Sequence, residues 1–223
     1  MLLIALISIV ILLQRDMGTL MVIAFFSVAM FFVAGARILH LATTFIIGVV
    51  GGVAMIRLEQ YRIQRFLVFL DPEKDPLGAG FHINQVLIAV GTGGWFGRGF
   101  GKSGQKYTGY IPEAGTDSIF AIIAEELGFL KLVFIPILLF LIFAWRGYYI
   151  ASNSSDYFGK VLAFGITSWI IFQAILNIFT MTSLAPLTGI PLPFISYGGS
   201  SIFSLFILTG IMENIIIKSK INY

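Results

Sequence analysis

Seven charged side chains fall within the 29 residues from Arg98 to Glu126: Arg98, Lys102, Lys106, Glu113, Asp117, Glu125 and Glu126. The chain on either side is largely apolar. Ionisable groups at or near membrane depth are expensive to hold there, which makes these residues candidates for function. Two kinds of chemistry are on offer. Arg98, Lys102 and Lys106 are spaced by Gly97, Gly99, Gly101 and Gly104, and such a loop can wrap a phosphate with side chains and amides. A solvated loop with incidental cations fits the same pattern, because loose runs of Gly, Lys and Arg are unspecific. Asp117 is placed to act as a general base. Thr116 or Asp117 could equally be the N-cap of a helix over SIFAIIAEELG, with Pro112 just upstream. Glu125 and Glu126 would be rotated from Asp117 by roughly 80° and 180° on a helix. The three acids therefore cannot share one surface, and one of the glutamates is expected to pair inside the bundle. His82 reads as a packed or interfacial histidine. No H-x-x-H or similar spacing exists, so no all-protein metal site is expected.

These residues need elements that hold them at a membrane. Of 223 residues, 58% are hydrophobic and 11% charged, with a mean hydropathy of +0.95; soluble proteins carry roughly 25% charged residues. Twenty-two Phe and 24 Gly suit a polytopic helical membrane protein, in which glycine lets helices approach closely. Alternating ten-residue strands are absent, against an outer-membrane barrel. There is no Cys, so disulfides and thiolate chemistry are excluded. Nothing resembles a nucleic-acid patch.

About seven membrane segments are expected, within a single domain spanning 1–223 and without an internal repeat. Residues 1–13 are apolar but shorter than the ~20 needed to cross a bilayer. They lack the basic n-region and cleavage site of a signal peptide, and read as the tail of a span. Further spans are read at 20–36, 41–56 (with Gly48, Gly51 and Gly52 as close-packing positions), 81–90, 132–145, 161–179 and 202–217. Residues 57–76 interleave Arg57, Arg62, Arg65 and Lys74 with Tyr61, Phe66, Phe69 and Leu70, as in an interfacial amphipathic helix. Residues 180–201 are a Pro/Gly/Ser-rich connection. Alternating the spans puts Arg15, Arg57, Arg62, Arg65, Lys74, Arg146, Lys160, Lys218 and Lys220 on one side. Arg37, Arg98, Lys102 and Lys106 fall on the other. The first side is then cytoplasmic by the positive-inside tendency, and residues 93–128 form a large extracytoplasmic loop and helix.

Several long motifs occur in a recognisable order: QRDMGT at 14–19, YRIQR at 61–65 with FLDPEKDPLGAG, GWFGRGFGKSGQK at 94–106, IPEAGTDSIFAIIAEELG at 111–128 and APLTGIPLPFISYGGSS at 185–201. Together they resemble the SEDS family (shape, elongation, division and sporulation; the FtsW/RodA/SpoVE type), most closely its FtsW branch. The resemblance covers almost the whole chain, and with about seven spans against the family's ten it implies that the first three are lacking. It implies a peptidoglycan glycosyltransferase in the bacterial cytoplasmic membrane that polymerises lipid II at the outer face. The implied partners are a class B penicillin-binding protein and other division or elongation proteins. It also implies Asp117 as the essential acid. Attack by a GlcNAc 4-OH on a lipid-linked MurNAc would release undecaprenyl diphosphate. Arg98, Lys102, Gln105, Lys106, Glu113, Thr116, Gln85, Ser196, Gly198, Gly199 and Ser200 match the motifs as substrate-binding candidates. No cofactor is specified, although a divalent cation such as Mg2+ bridging diphosphate and carboxylate is a common device. Three positions depart from the family pattern. Arg15 replaces a Pro, Gly115 replaces a His and Ser118 replaces an aromatic residue.

Two other readings compete. A flippase for the lipid-linked precursor is favoured by the polar residues Gln85, Gln173, Asn177 and Glu213 within spans. An inactive scaffold recruiting a class B penicillin-binding protein is the third.

Overall fold

The computed structural model describes residues 2–14, 16–58, 60–72, 75, 78–111 and 113–221. Arg15, Lys74, Pro76 and Pro112, which figure in the motifs above, lie outside them, as do Glu59, Glu73 and Leu77. Among the described residues the regular structure is helical: α1 (Leu2–Leu13), α2 (Met17–Val33), α3 (Ile38–Leu58), α4 (Gln60–Leu70), α5 (Ala79–Gly93), α6 (Gly104–Thr108), α7 (Ile119–Leu132), a π-helical turn (Val133–Ile137), α8 (Leu138–Ser152), α9 (Tyr157–Met181) and α10 (Gly199–Ile221). Among the described residues, three stretches are long and apolar enough to cross a membrane: Ile135–Ser152, Tyr157–Met181 and Gly199–Ser219. The chain is thus a helical membrane protein; the other expected segments overlap helices outside these three.

Contacts gather the chain into two compact units. The first comprises residues 1–52, 140–173 and 199–223. Its helix starts are written in the sequence. The Asp16 side chain accepts from the Thr19 amide at 2.9 Å and from the Thr19 hydroxyl at 2.6 Å, so the D-x-x-T of QRDMGT caps α2. Asp156 Oδ2 accepts from the Gly159 amide at the start of α9. The core of this unit is Ile166, Ile170, Leu205 and Met212, with Phe143 and Leu208 packed against it. Phe25 stacks on Phe172 with ring centroids 3.9 Å apart. Gly147 faces the Thr167 side chain and Gly165 faces Met30, so small residues let larger ones close in. Gly48, Gly51 and Gly52 do not do this. A Cβ on any of them would meet nothing within 4 Å among the described residues. That corrects the close-packing expectation, because on this helix the glycines face no neighbour.

The second unit comprises residues 53–139 and 174–198, and contains the charged stretch. Here α5 lies tightly along α7, since a Cβ on Gly93 would strike the Ala124 carbonyl oxygen. The chain leaving α5 then runs back along the end of α7. Arg98 and Gly99 amides donate to the Glu125 and Glu126 carbonyls at 2.9 and 3.0 Å, and Phe129 and Leu130 amides donate to the Gly94 and Trp95 carbonyls. The carbonyls that close a helix are thereby satisfied by another segment. This interlock requires glycine at two positions. Gly128 breaks the helix at φ 73°, ψ 172°, and its backbone abuts that of Gly97, at φ +77°.

α4 is not the simple interfacial helix expected. Arg62 is buried, and Arg65 Nη1 donates to the Leu187 carbonyl at 3.0 Å. Two of its basic residues therefore face protein, and for Arg65 the cause is a carbonyl of the 185–198 connection that needs a donor.

Candidate functional site

Asp117 stands two residues before α7 begins, at the end of a tight turn. The turn is built on Glu113, which sits at φ 50°, a conformation L-residues rarely adopt. The Glu113 carbonyl accepts from the Thr116 and Ser118 amides at 3.0 and 3.3 Å. Its carboxylate takes the Thr116 hydroxyl at 2.9 Å. The same hydroxyl lies 3.3 Å from Asp117 Oδ1. Because α7 starts at Ile119, the flanking residue at its start is Ser118 and not Thr116 or Asp117, and the capping expectation gives way to a turn closed by Glu113.

Three backbone carbonyls of this turn are fixed from outside it. The Tyr197 amide donates to the Gly115 carbonyl at 2.8 Å, and the Ser196 hydroxyl donates to the Thr116 carbonyl at 2.5 Å. Asn177 Nδ2 donates to the Asp117 carbonyl at 2.7 Å. Ser196 is itself buried and accepts from the Leu192 amide at 2.7 Å. The Asp117 carboxylate is left half-buried, with Gly189 opposite: a Cβ there would lie 3.8 Å from Oδ2. On the other side, Ser118 Oγ and His82 Nε2 are 3.0 Å apart, which brings α5 to the site. An acid held by its backbone and only half-buried can accept a proton from a bound hydroxyl.

The second cluster surrounds Glu125, which is 0% exposed. Its carboxylate accepts from the Ser103 hydroxyl at 2.6 Å, the Gly104 amide at 3.0 Å and the Gln105 amide at 3.4 Å. It also pairs with Arg98 Nη1 at 3.2 Å. Glu126 Oε2 accepts the Gly101 amide at 2.9 Å. Both glutamates are buried, so more than one of them pairs inside the protein. The geometry changes the reading of the basic loop. Its amides at 101, 104 and 105 close on the protein's own carboxylates, and Arg98 is partly engaged by Glu125. Lys102 and Lys106 are exposed and make no ion pair among the described residues. Along α7, Ile119 and Glu125 are six residues apart, or roughly 9 Å at 1.5 Å per residue.

Gln85 is half-buried on α5, and Gly198 ends the segment that holds the Asp117 turn. Gly199 and Ser200 are the first residues of α10 and belong to the other unit. Among the described residues no group of three or more His, Asp or Glu could hold a metal ion.

The family model for cell cycle proteins of the FtsW/RodA/SpoVE type matches residues 1–221. The chain belongs to this family. It is 47% identical over 206 residues to stage V sporulation protein E of Bacillus subtilis, covering 92% of this chain and 56% of that protein. It is 41% identical over 211 residues to the probable peptidoglycan glycosyltransferase FtsW of Idiomarina loihiensis, covering 93% and 51%. A solved structure described as "Structural coordination of polymerization and crosslinking by a peptidoglycan synthase complex" aligns with a TM-score of 0.73 and 26% identity. That alignment covers 97% of this chain and 59% of the other. The chain thus spans about half the length of the curated relatives it matches.

Within this FtsW/RodA/SpoVE chain, sequence reasoning undervalued three residues. Asn177 was legible only as a costly polar group in an apolar run, and Arg65 only as one basic residue among several. Ser118 stood out only as a departure from an aromatic pattern. None of the three carried a spacing that named its partner, because each partner is distant in sequence.

Proposed function

We propose that this chain carries the reaction centre of a peptidoglycan glycosyltransferase, which polymerises lipid II at the outer face of the bacterial cytoplasmic membrane. Asp117 is the general base. It takes the proton of the acceptor's GlcNAc 4-OH as that oxygen attacks the anomeric carbon of the lipid-linked MurNAc. The bond from that carbon to the diphosphate oxygen breaks, undecaprenyl diphosphate leaves, and the α-linked donor becomes a β-linked product. The observation that carries this reading is the Asp117 turn, with its backbone carbonyls fixed and its carboxylate left accessible. Arg98, Lys102 and Lys106 supply positive charge where the leaving diphosphate accumulates negative charge. Lys102 and Lys106 carry most of this role, because Arg98 is shared with Glu125. Thr116 and Glu113 hold the turn, Gln105 the basic loop, and Ser196 the connection behind Asp117. Gln85 and Gly198 complete the set assigned to substrate in this unit. The partner is a class B penicillin-binding protein of the division or elongation machinery.

Asn177 gives the flippase reading no support, because its NH2 group is occupied by two backbone carbonyls. The test is to place the protein in liposomes with labelled lipid II and its transpeptidase partner. The enzyme reading expects glycan strands longer than the disaccharide unit. Label crossing the bilayer without strand growth would replace it with the transport reading, and partner binding without either would leave the scaffold.

A further inference from the structure

Asn177 lies near the end of α9, in a helix otherwise rich in Ile, Leu and Phe, and is 0% exposed. Burying a polar amide in such a helix is unfavourable unless its hydrogen bonds are made. Both donors of its side chain are used, each at 2.7 Å: one on the Asp117 carbonyl, the other on the Ile190 carbonyl. Its Oδ1 is buried without a hydrogen-bond partner. The residue is therefore held as a double donor, and its acceptor does nothing. The two carbonyls belong to the acid-bearing turn and to the 185–198 connection, 73 residues apart in sequence. Thr180 Oγ1 donates to the Asn177 carbonyl at 2.8 Å within the helix.

From this geometry we infer that Asn177 is a positioning residue for Asp117: one side-chain amide clamps the acid's own backbone to the segment carrying Gly189, which faces the carboxylate. The inference rests on the proposed role of Asp117. A peptide carbonyl and its side chain share one Cα, so fixing the carbonyl fixes the direction in which the carboxylate leaves the backbone. Ser196 and Tyr197 hold the carbonyls of the two preceding residues, which leaves rotation about the Asp117 peptide as the freedom that Asn177 removes. Its functional value is angular. A base misplaced by about 1 Å can lose roughly a hundredfold in rate.

The test uses Asn177→Leu and Asn177→Asp, which keep approximate size and remove both N–H donors, with Thr180→Val and Asp117→Asn as controls. Three readouts are taken on the same preparations: polymerisation rate, affinity for lipid II, and hydrogen exchange of residues 115–119. The expected result for Asn177→Leu is polymerisation slower by roughly ten- to a hundredfold with affinity for lipid II unchanged within about twofold. Exchange at 115–119 would rise while that of 121–126 stays put. Thr180→Val should lose a similar buried bond yet polymerise at near the parental rate. Normal exchange at 115–119 in Asn177→Leu would overturn the clamp whatever the activity. Equal losses in Asn177→Leu and Thr180→Val would also overturn it, reducing the residue to packing. If Asp117→Asn polymerises normally, the reading of Asp117 fails instead, and the exchange data still decide whether the clamp exists.

Discussion

Replacing Glu125 with Gln should loosen the basic loop without changing the volume of the core. The carboxylate accepts four donors, from Ser103, Gly104, Gln105 and Arg98, and has no exposure to water. Gln offers one acceptor oxygen in place of two and turns an NH2 towards a site already lined with donors. Breaking a buried charged pair costs about 3–5 kcal/mol. The Arg98 side chain is 47% exposed and can rehydrate, which places the effect at the low end, about 3 kcal/mol. At 1.4 kcal/mol per decade, that is roughly 150-fold faster local opening. Hydrogen exchange at the Gly104 and Gln105 amides reads it directly. Glu126→Gln keeps one acceptor oxygen for the single bond from the Gly101 amide, so its effect should be about tenfold or less and confined to that residue. Exchange at Gly104 and Gln105 within about threefold of the parent in Glu125→Gln would refute the reasoning. The buried carboxylate would then be a passenger of the helix packing and not the anchor of the loop.

Three further outcomes are expected. Gly128→Ala forces a side chain into a positive-φ position against the backbone of Phe96 and Gly97, and should cost about 4 kcal/mol or more, lowering Tm by roughly 10 °C in detergent. Ser196→Ala removes a donor to Thr116 and an acceptor for Leu192; it should cost about 2 kcal/mol by chemical denaturation and slow polymerisation more than it weakens lipid II binding. Lys102→Ala and Lys106→Ala should weaken binding of the diphosphate-linked lipid severalfold at low ionic strength, with the difference shrinking as salt is added. A salt-independent loss would point to a structural role for those lysines.

Much of the fold was open to inspection because lipid imposes one rule on every span. Long apolar runs marked the helices, whereas the starts made by Asp16 with Thr19 and by Asp156 with Gly159 emerged only in the structure. The charged stretch was equally visible, and the resemblance of the motifs is what singled out Asp117 within it. What the sequence did not show is how the glycine-rich loop spends its amides. Gly101, Gly104 and Gln105 read as a phosphate cradle, yet they face Glu125 and Glu126 across 20 or more residues of chain. Periodicity carries no information about such distant partners. The same limit hid the bond from Arg65 to Leu187 and the double donation by Asn177. The glycines of α3 failed as close-packing positions for a related reason: composition says where a helix could approach, and only the neighbours decide whether one does.

The most direct test of the account is the polymerisation of lipid II by the protein with its transpeptidase partner, comparing the parental chain with Asp117→Asn at matched lipid II occupancy. The account predicts glycan strands from the parent and none from Asp117→Asn, with the lipid bound equally by both. Strands of normal length from Asp117→Asn would contradict it, and the base would have to be sought elsewhere.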